Sequence, residues 1–508
     1  MIPPPVQNRV QLVRSEVSRW SWLSYGYAAI VGAGVGYFLW DLPVQVSDSY
    51  GNLVTASRGT LGSLVASEFY QRAYLRPFLW GLLRVISDLS RGHYFEWFRG
   101  WHVAQVVLLI VLWVRLLRPS TWSAAAAVPL GLAALIGMHT FAGTVREAFP
   151  INTFMTVLIC VFAAADLALG SPRPSTPRGP QGRTEHGRSA ATRGAPDAGS
   201  EGRWWRDLAA AVLFVFAALT VESGLLVGVV VVAAYFAGAR GVSRNGVVLQ
   251  VSLMAAYFVL RFAILGVGAP GLEERPSGFG LSGLDPGELV ARFGQNPLPF
   301  YAYNVLSSAL TVLLSEPRGG TWGFTGDLLR GEPSVAALVD AIASVLGTMV
   351  VGYYVWRRRL ALRARDFNRG DQLVVLFIVL VVANATLSYG YTKDVIMSPA
   401  GAFYAVALAV AVQYVIESPR RTLAAALVVG VLSCAWSYRA IAAHVGLRQS
   451  AATLRGEWAY VDLWLERKSE VPRDAFAVDL KNRLQDDAVR KYPLRPMLAG
   501  SWLRWFAD

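Results

Sequence analysis

The chain has 508 residues, of which 54% are hydrophobic and only 16% charged, and its mean hydropathy is +0.40. An ordinary soluble domain carries about 25% charged residues, so this composition excludes one and points to a polytopic membrane protein. The net charge of +13 does not imply a nucleic-acid partner, because the basic residues sit in short loops between apolar segments, as the positive-inside bias predicts, and form no basic stripe.

Residues 1–20 are polar and basic, with Arg9, Arg14 and Arg19, and are expected in the cytoplasm. No short apolar run with a small-residue cleavage site precedes the first apolar segment, which therefore reads as a retained anchor. Trp22 to Trp40 is long enough to cross a bilayer, and opens a first transmembrane part over 21–170. Its exit puts Asp41 to Pro77 on the outer face, at the start of an outer loop over 41–100. That stretch carries Asp41, Asp48, Arg58, Glu68, Arg72 and Arg76 beside a membrane core, where charges are costly and usually functional. We read it as a catalytic loop with Asp48 as its catalytic carboxylate. From Pro77 to Trp97 apolar residues alternate with Arg84, Asp88, Arg91 and Glu96, a pattern that suits a helix lying along the interface.

Val103 to Leu117 returns to the cytoplasm and Trp122 to Met138 goes out again. A polar patch, His139 to Pro150, contains Arg146 and Glu147, and Ile151 to Leu169 crosses back. Residues 171–206 are rich in Pro, Gly, Ser and Arg, cannot bury a core, and are expected to form a disordered cytoplasmic linker.

The second transmembrane part covers 207–437. The apolar tract Asp207 to Gly238 is too long for one straight crossing and contains Glu222, so it reads as two short helices meeting there. A Gly- and Pro-rich outer loop spans 267–300. The run Arg357-Arg358-Arg359 marks the cytoplasm, which conflicts with two crossings at Tyr301 to Leu314 and Val335 to Trp356. Either the first of these does not cross, or the Glu222 tract is one span; the span-length rule gives roughly 11–13 crossings. The loop Ser388 to Pro399 carries Tyr389, Tyr391, Lys393 and Asp394, and the tail 438–508 has helical spacing and is expected as a small outer-face helical segment. Cys160 and Cys434 lie in apolar segments and define neither a disulfide framework nor a metal site.

The order of these features resembles the GT-C glycosyltransferase superfamily of multispanning enzymes. The matching stretches are Ser47-Asp48-Ser49-Tyr50-Gly51-Asn52 after the first crossing, and Tyr74-Leu75-Arg76-Pro77-Phe78 opening an amphipathic helix. Trp101-His102-Val103 leads into the second crossing, followed by Thr220-Val221-Glu222-Ser223-Gly224, Arg261-Phe262 and Asn296-Pro297. The pattern is similar to that of tetratricopeptide-containing transmembrane O-mannosyltransferases. It departs in having Asp48 alone where the family pairs two acids, Val221 where a lysine is usual, and no tetratricopeptide repeats.

The resemblance implies an all-α GT-C-like bundle in a bacterial inner membrane, with the active site on the periplasmic face. It implies inverting transfer of a sugar from a polyprenyl-phosphate donor to a hydroxyl on a lipid, glycan or protein acceptor. Asp48 is the general base; its plain alternative is a loop Asp capping a turn before Gly51. The lipid phosphate calls for cations, for which Arg76, Lys393 and Arg72 are the candidates, against ordinary snorkelling. Glu147, Asp41, Tyr391 and Glu222 are candidates for contacting substrate, although Tyr391 also suits a bilayer interface and Glu222 a polar hinge. A divalent metal would need two or more converging carboxylates, and none is assigned. Competing readings are a transporter or flippase of a lipid-linked substrate, which needs polar groups near the midplane, and a surface-polysaccharide ligase or polymerase.

Overall fold

In a computed structural model the described residues are 6–70, 75–146, 151–170, 204–266, 278–279, 284–294, 296–316, 320–418, 422–467 and 473–491, without the side chains of 6–18, 47, 48, 70, 422 and 491. The expected linker 171–206 lies almost wholly outside them, and the expected outer loop 267–300 only in part, since its residues 284–294 and 296–300 are described. All regular structure among these residues is helical, as an apolar chain surrounded by lipid requires, because each backbone N–H and C=O must then bond within its own segment.

In chain order the helices are α1 (Val6–Leu39), α2 (Ser47–Arg58), α3 (Leu61–Tyr70), α4 (Pro77–Ser90), α5 (Tyr94–Leu117), α6 (Trp122–Gly137), α7 (His139–Arg146) and α8 (Thr153–Leu169). Next come α9 (Trp204–Ala218), α10 (Leu226–Phe236), α11 (Arg244–Phe258), α12 (Pro286–Phe293), α13 (Leu298–Leu314) and α14 (Thr321–Arg330). The last are α15 (Val335–Arg363), α16 (Arg369–Leu387), α17 (Ser398–Ile416), α18 (Thr422–Ala459), α19 (Val461–Glu466) and α20 (Ala475–Asp486). Several begin at side chains that accept a backbone N–H, among them Thr121 for α6, Asn152 for α8, Ser243 for α11 and Ser334 for α15.

Bonds between helix termini define two ends of the bundle. At one end Ser21 donates to the Pro119 carbonyl (3.0 Å), Arg115 pairs with Asp166 (2.7 Å) and Gly241 N–H bonds the Ala168 carbonyl (2.9 Å). Arg369 reaches the Leu116 carbonyl (2.9 Å) and Ser123 bonds Glu417 (2.6 Å) there too. At the other end Arg99 holds the carbonyls of Leu42 and Pro43, Phe78 N–H bonds the Leu219 carbonyl (3.1 Å) and Asn384 donates to the Ile396 carbonyl (2.9 Å). Helices α1, α5, α6, α8, α9, α10, α11, α15, α16, α17 and α18 therefore run alternately between the two ends. Helix α13 does not: Asn304 donates to the Tyr389 carbonyl (2.9 Å) and Ser315 bonds Ser344 (2.6 Å), so both its termini stay at the second end. This resolves the sequence conflict, because Arg357-Arg358-Arg359 then falls at the same end as Arg115 and Arg118.

Among the described residues six helices are long and apolar enough on their own to cross a membrane, and two bent pairs, α6 with α7 and α12 with α13, are so only when taken together. The larger expected number counted shorter elements as well, such as α8 and α10, which run beside the long ones. Helix α17 is the axis, with 94% of its apolar window inside the bundle, whereas α11 is peripheral, with 11%. Small residues make this close packing possible. Ala400, Ala402, Ala405 and Ala407 are fully buried on α17, and a Cβ on Gly131 of α6 would stand 2.5 Å from the Trp113 ring.

A second apolar cluster caps the end where α1 stops. It joins α2, α3 and α4 to the tail through Val46, Tyr50, Leu53, Trp80, Trp458 and Leu480. The tail does not start as a separate segment after residue 437. Helix α18 runs unbroken for 38 residues, about 57 Å at the standard helical rise, and carries the chain from the bundle into this cap. Tyr50 Oη donates to the Ala477 carbonyl (2.7 Å), and Trp458 Nε1 to that of Val44 (2.5 Å).

Candidate functional site

Two polar groups gather at the capped end. The first is built on Glu222. Helix α9 stops at Ala218, and a 3₁₀ turn, Glu222–Leu225, reverses the chain into α10. The reversal needs Gly224, because a Cβ there would lie 2.1 Å from the Ala217 carbonyl carbon. The expected break of the Asp207 to Gly238 tract at Glu222 is thus present.

Arg76 stands immediately before Pro77, the first residue of α4, a position that disfavours helical backbone and so marks the helix start. Its backbone N–H donates to Glu68 Oε2 (3.1 Å), and Glu68 Oε1 accepts from Trp80 Nε1 (2.9 Å). With the backbone held, the guanidinium reaches Glu222 Oε2 at 2.7 Å. Arg261 arrives from the opposite side, in the π-helical turn Val259–Ile264 that continues α11; such turns are frequent at functional sites. Its Nη1 lies 3.3 Å from Glu222 Oε1 and donates to Tyr257 Oη at 3.0 Å. One carboxylate is gripped by two guanidiniums, all three side chains between 16% and 30% exposed. The group keeps one positive charge in excess and can accept an anion.

The second group lies in the segment Ser388 to Pro399. Asn384 fixes it from α16, donating to the Ile396 carbonyl and accepting from Ala400 N–H (3.3 Å). Ser398 ties it to α7 through the Thr140 carbonyl (2.9 Å). Asp394 Oδ1 sits 3.9 Å from His139 Nε2, which in turn lies 2.9 Å from Thr311 Oγ1 of α13. Lys393 is exposed, with its ammonium 5.3 Å from the centre of the Tyr391 ring. Tyr301 meets Tyr389 edge-on at 5.0 Å, so α13 packs against this segment.

The sequence candidates are distributed as follows. Arg76 and Glu222 are brought together, and Lys393 and Tyr391 share one segment. Asp48 lies in the first turn of α2, its side chain outside those described; Arg72 and Glu147 lie outside the described residues altogether. Asp41 ends α1 at the turn into α2, where burial pushes its carboxyl above the usual range and Arg448 opposes that. Sequence reasoning missed Arg261 as the second partner of Glu222, and the His139–Asp394 contact. The available signal was that each is an ionisable residue flanking an apolar run. Among the described residues, no three His, Cys, Asp or Glu side chains are grouped to hold a metal ion. Compared with models of protein families, with curated proteins and with solved structures, the chain matches none.

Proposed function

We propose that the protein is a glycosyltransferase that moves a sugar from a polyprenyl-phosphate-linked donor to an acceptor hydroxyl. We place it in a bacterial inner membrane with its site on the periplasmic side. The arginine-rich end of the bundle is then cytoplasmic, in line with the positive-inside bias, and the capped end faces out. The observation that carries the reading is the pairing of Arg76 and Arg261 around Glu222, at the end of the bundle that also bears α2 and the Lys393 segment.

In this reading the acceptor oxygen attacks the anomeric carbon while the bond from that carbon to the phosphate oxygen breaks. Asp48 takes the acceptor proton. The departing polyprenyl phosphate gains negative charge, and the Arg76 and Arg261 guanidiniums, held in advance by Glu222, stabilise it by charge-assisted hydrogen bonds. Lys393 adds a point charge beside Tyr391, whose ring offers a face for a sugar.

Asp48→Asn tests the assignment. Loss of a general base lowers transfer by about 10²–10⁴-fold. Sugar transfer from a radiolabelled polyprenyl-phosphate donor in proteoliposomes should fall by that much, with the thermal transition unchanged. Turnover near the parent rate would remove Asp48 from the chemistry, and movement of the intact donor across the bilayer without transfer would favour a flippase.

A further inference from the structure

The arginine-rich end of the bundle holds another place where cations outnumber their acid. Asp166, near the end of α8, is only 8% exposed, and two guanidiniums from the end of α5 converge on its carboxylate. Arg115 donates through Nε to Oδ2 at 2.7 Å, and Arg118 through Nη2 to Oδ1 at 3.5 Å. Both Nη groups of Arg115 are left without a partner among the described residues, and its side chain is 62% exposed. A third cation, Arg369 of α16, bonds the Leu116 carbonyl between them (2.9 Å). Tyr25 of α1 brings a hydroxyl close enough for Arg115, Arg118 and Asp166 to act on it. Three arginines thus meet one acid where α1, α5, α8 and α16 come together. Arg358, at the same end, is the contrast: it spends Nε and Nη2 on the fully buried Asp371 (3.0 and 2.6 Å), one cation to one acid.

Arg115 also stands at the end of an apolar stripe. At about 100° per residue, Ala104, Leu108 and Val111 fall within roughly 40° of it around α5. Ala104 and Leu108 are exposed, and Val111 is half-buried. Helix α1 packs along α5 where Gly32 and Gly36 face Val107 and Val103, and its Trp22, one turn before Tyr25, is exposed as well. The apolar surface beside the arginines is therefore open, not enclosed by the bundle.

We propose that Arg115 and Arg118 hold the phosphate of an anionic glycerophospholipid, with an acyl chain along Leu108 and Val111 on the outer side of α5. The excess of positive charge selects an anionic head over a zwitterionic one, since basic groups between membrane helices bind anionic heads. The stripe gives an acyl chain a surface that a free anion cannot use. The site stands at the opposite end from Glu222 and rests on none of the donor chemistry. A lipid bound there braces α5 against α8, because the arginines that hold its phosphate also hold Asp166.

The test is native mass spectrometry of the delipidated full chain titrated with phosphatidylglycerol or phosphatidylcholine. Phosphatidylglycerol should bind in preference. Arg115→Gln and Arg118→Gln should each weaken it about fivefold, the effect of one basic residue at an anionic head. Arg359→Gln removes an exposed arginine of the same end, which lies over the Trp356 ring, and should leave the preference unchanged. Arg115 is exposed, so its substitution remains informative if Arg118→Gln unfolds. Equal affinity of the parent chain for both lipids, or phosphatidylglycerol binding unchanged by Arg115→Gln, would overturn the proposal. An equal loss in Arg359→Gln would do so too, since the preference would then come from the diffuse charge of that end. Full displacement by glycerol phosphate would make the site one for a soluble anion and overturn it likewise.

Discussion

Two arginines inside this bundle contrast with the Glu222 group. Arg99 and Arg439 are almost wholly buried and bind carbonyls at helix ends: Arg99 those of Leu42 and Pro43 after α1, Arg439 that of Gly137 at the end of α6. Arg439 also pairs with Asp340 at 3.2 Å and lies 4.5 Å from the centre of the Trp436 ring. These arginines satisfy orphan carbonyls and the negative ends of helix dipoles, which explains them without any ligand. Glu222 differs, because its two guanidinium partners are partly open. Removing one partner of a fully buried pair costs about 3–5 kcal/mol and of an exposed pair 0–1, so Arg261→Gln should destabilise by about 1–3 kcal/mol. A double-mutant cycle between Arg261→Gln and Glu222→Gln, read by chemical unfolding in detergent, should return a coupling of the same order. A coupling near zero would mean that Arg261 is an ordinary interfacial arginine. Both residues were visible in the sequence as charges beside apolar runs, but nothing local linked them.

Among the elements, the reversal between α9 and α10 was legible because an acid and a glycine interrupt a tract too long to cross once. Its tightness was not. Gly224→Ala would place a Cβ against the Ala217 carbonyl, which only a backbone shift can relieve, so it should cost about 1–3 kcal/mol and move Glu222 off Arg76. Thermal unfolding together with the activity of that variant checks this; an unaltered transition would show that the turn has slack. The course of α13 was undecidable from sequence, since its length and apolarity suit crossing as well as lying across. The contacts of Asn304, Thr311 and Ser315 keep it at one end. Asn384 of α16 fixes the Lys393 segment, a role its place inside an apolar run does not announce.

At the scale of the whole molecule, the tail and the first outer loop form one cap. Asp474 joins them: its carboxylate accepts from Ala477 N–H and pairs with Arg58 of α2, and these contacts hold it below the usual aspartate range. A depressed carboxyl contributes stability above its unfolded pKa of about 3.9, and this is lost as pH falls through the lower folded value. Docking of α20 on α2 should therefore be intact from neutral pH down to about pH 4 and loosen only below it. Asp474→Asn should loosen it at neutral pH as well. Hydrogen exchange of α20, corrected for intrinsic rates, reads both; equal protection in parent and variant would count against the linkage. Because α2 carries Asp48, a loosened cap should also slow transfer under the proposed reaction.

The sequence by itself determined the helical membrane character, the amphipathic start at Pro77, the break at Glu222 and the sorting of arginine-rich loops to one end. Each is set locally, by hydropathy over a span length or by a proline, glycine or charge that no continuous apolar helix accommodates. Only the tertiary structure decided that Arg76 and Arg261 meet at Glu222, that α13 stays at one end, and that the tail closes over the first outer loop. Those outcomes depend on which helix faces are complementary, and partners 146 positions apart, as Arg76 and Glu222 are, share no local pattern. In lipid the helices gain little from burying apolar surface against one another, so small-residue packing and a few polar contacts settle the arrangement. Such contacts are spread along the chain and become visible only once it is folded.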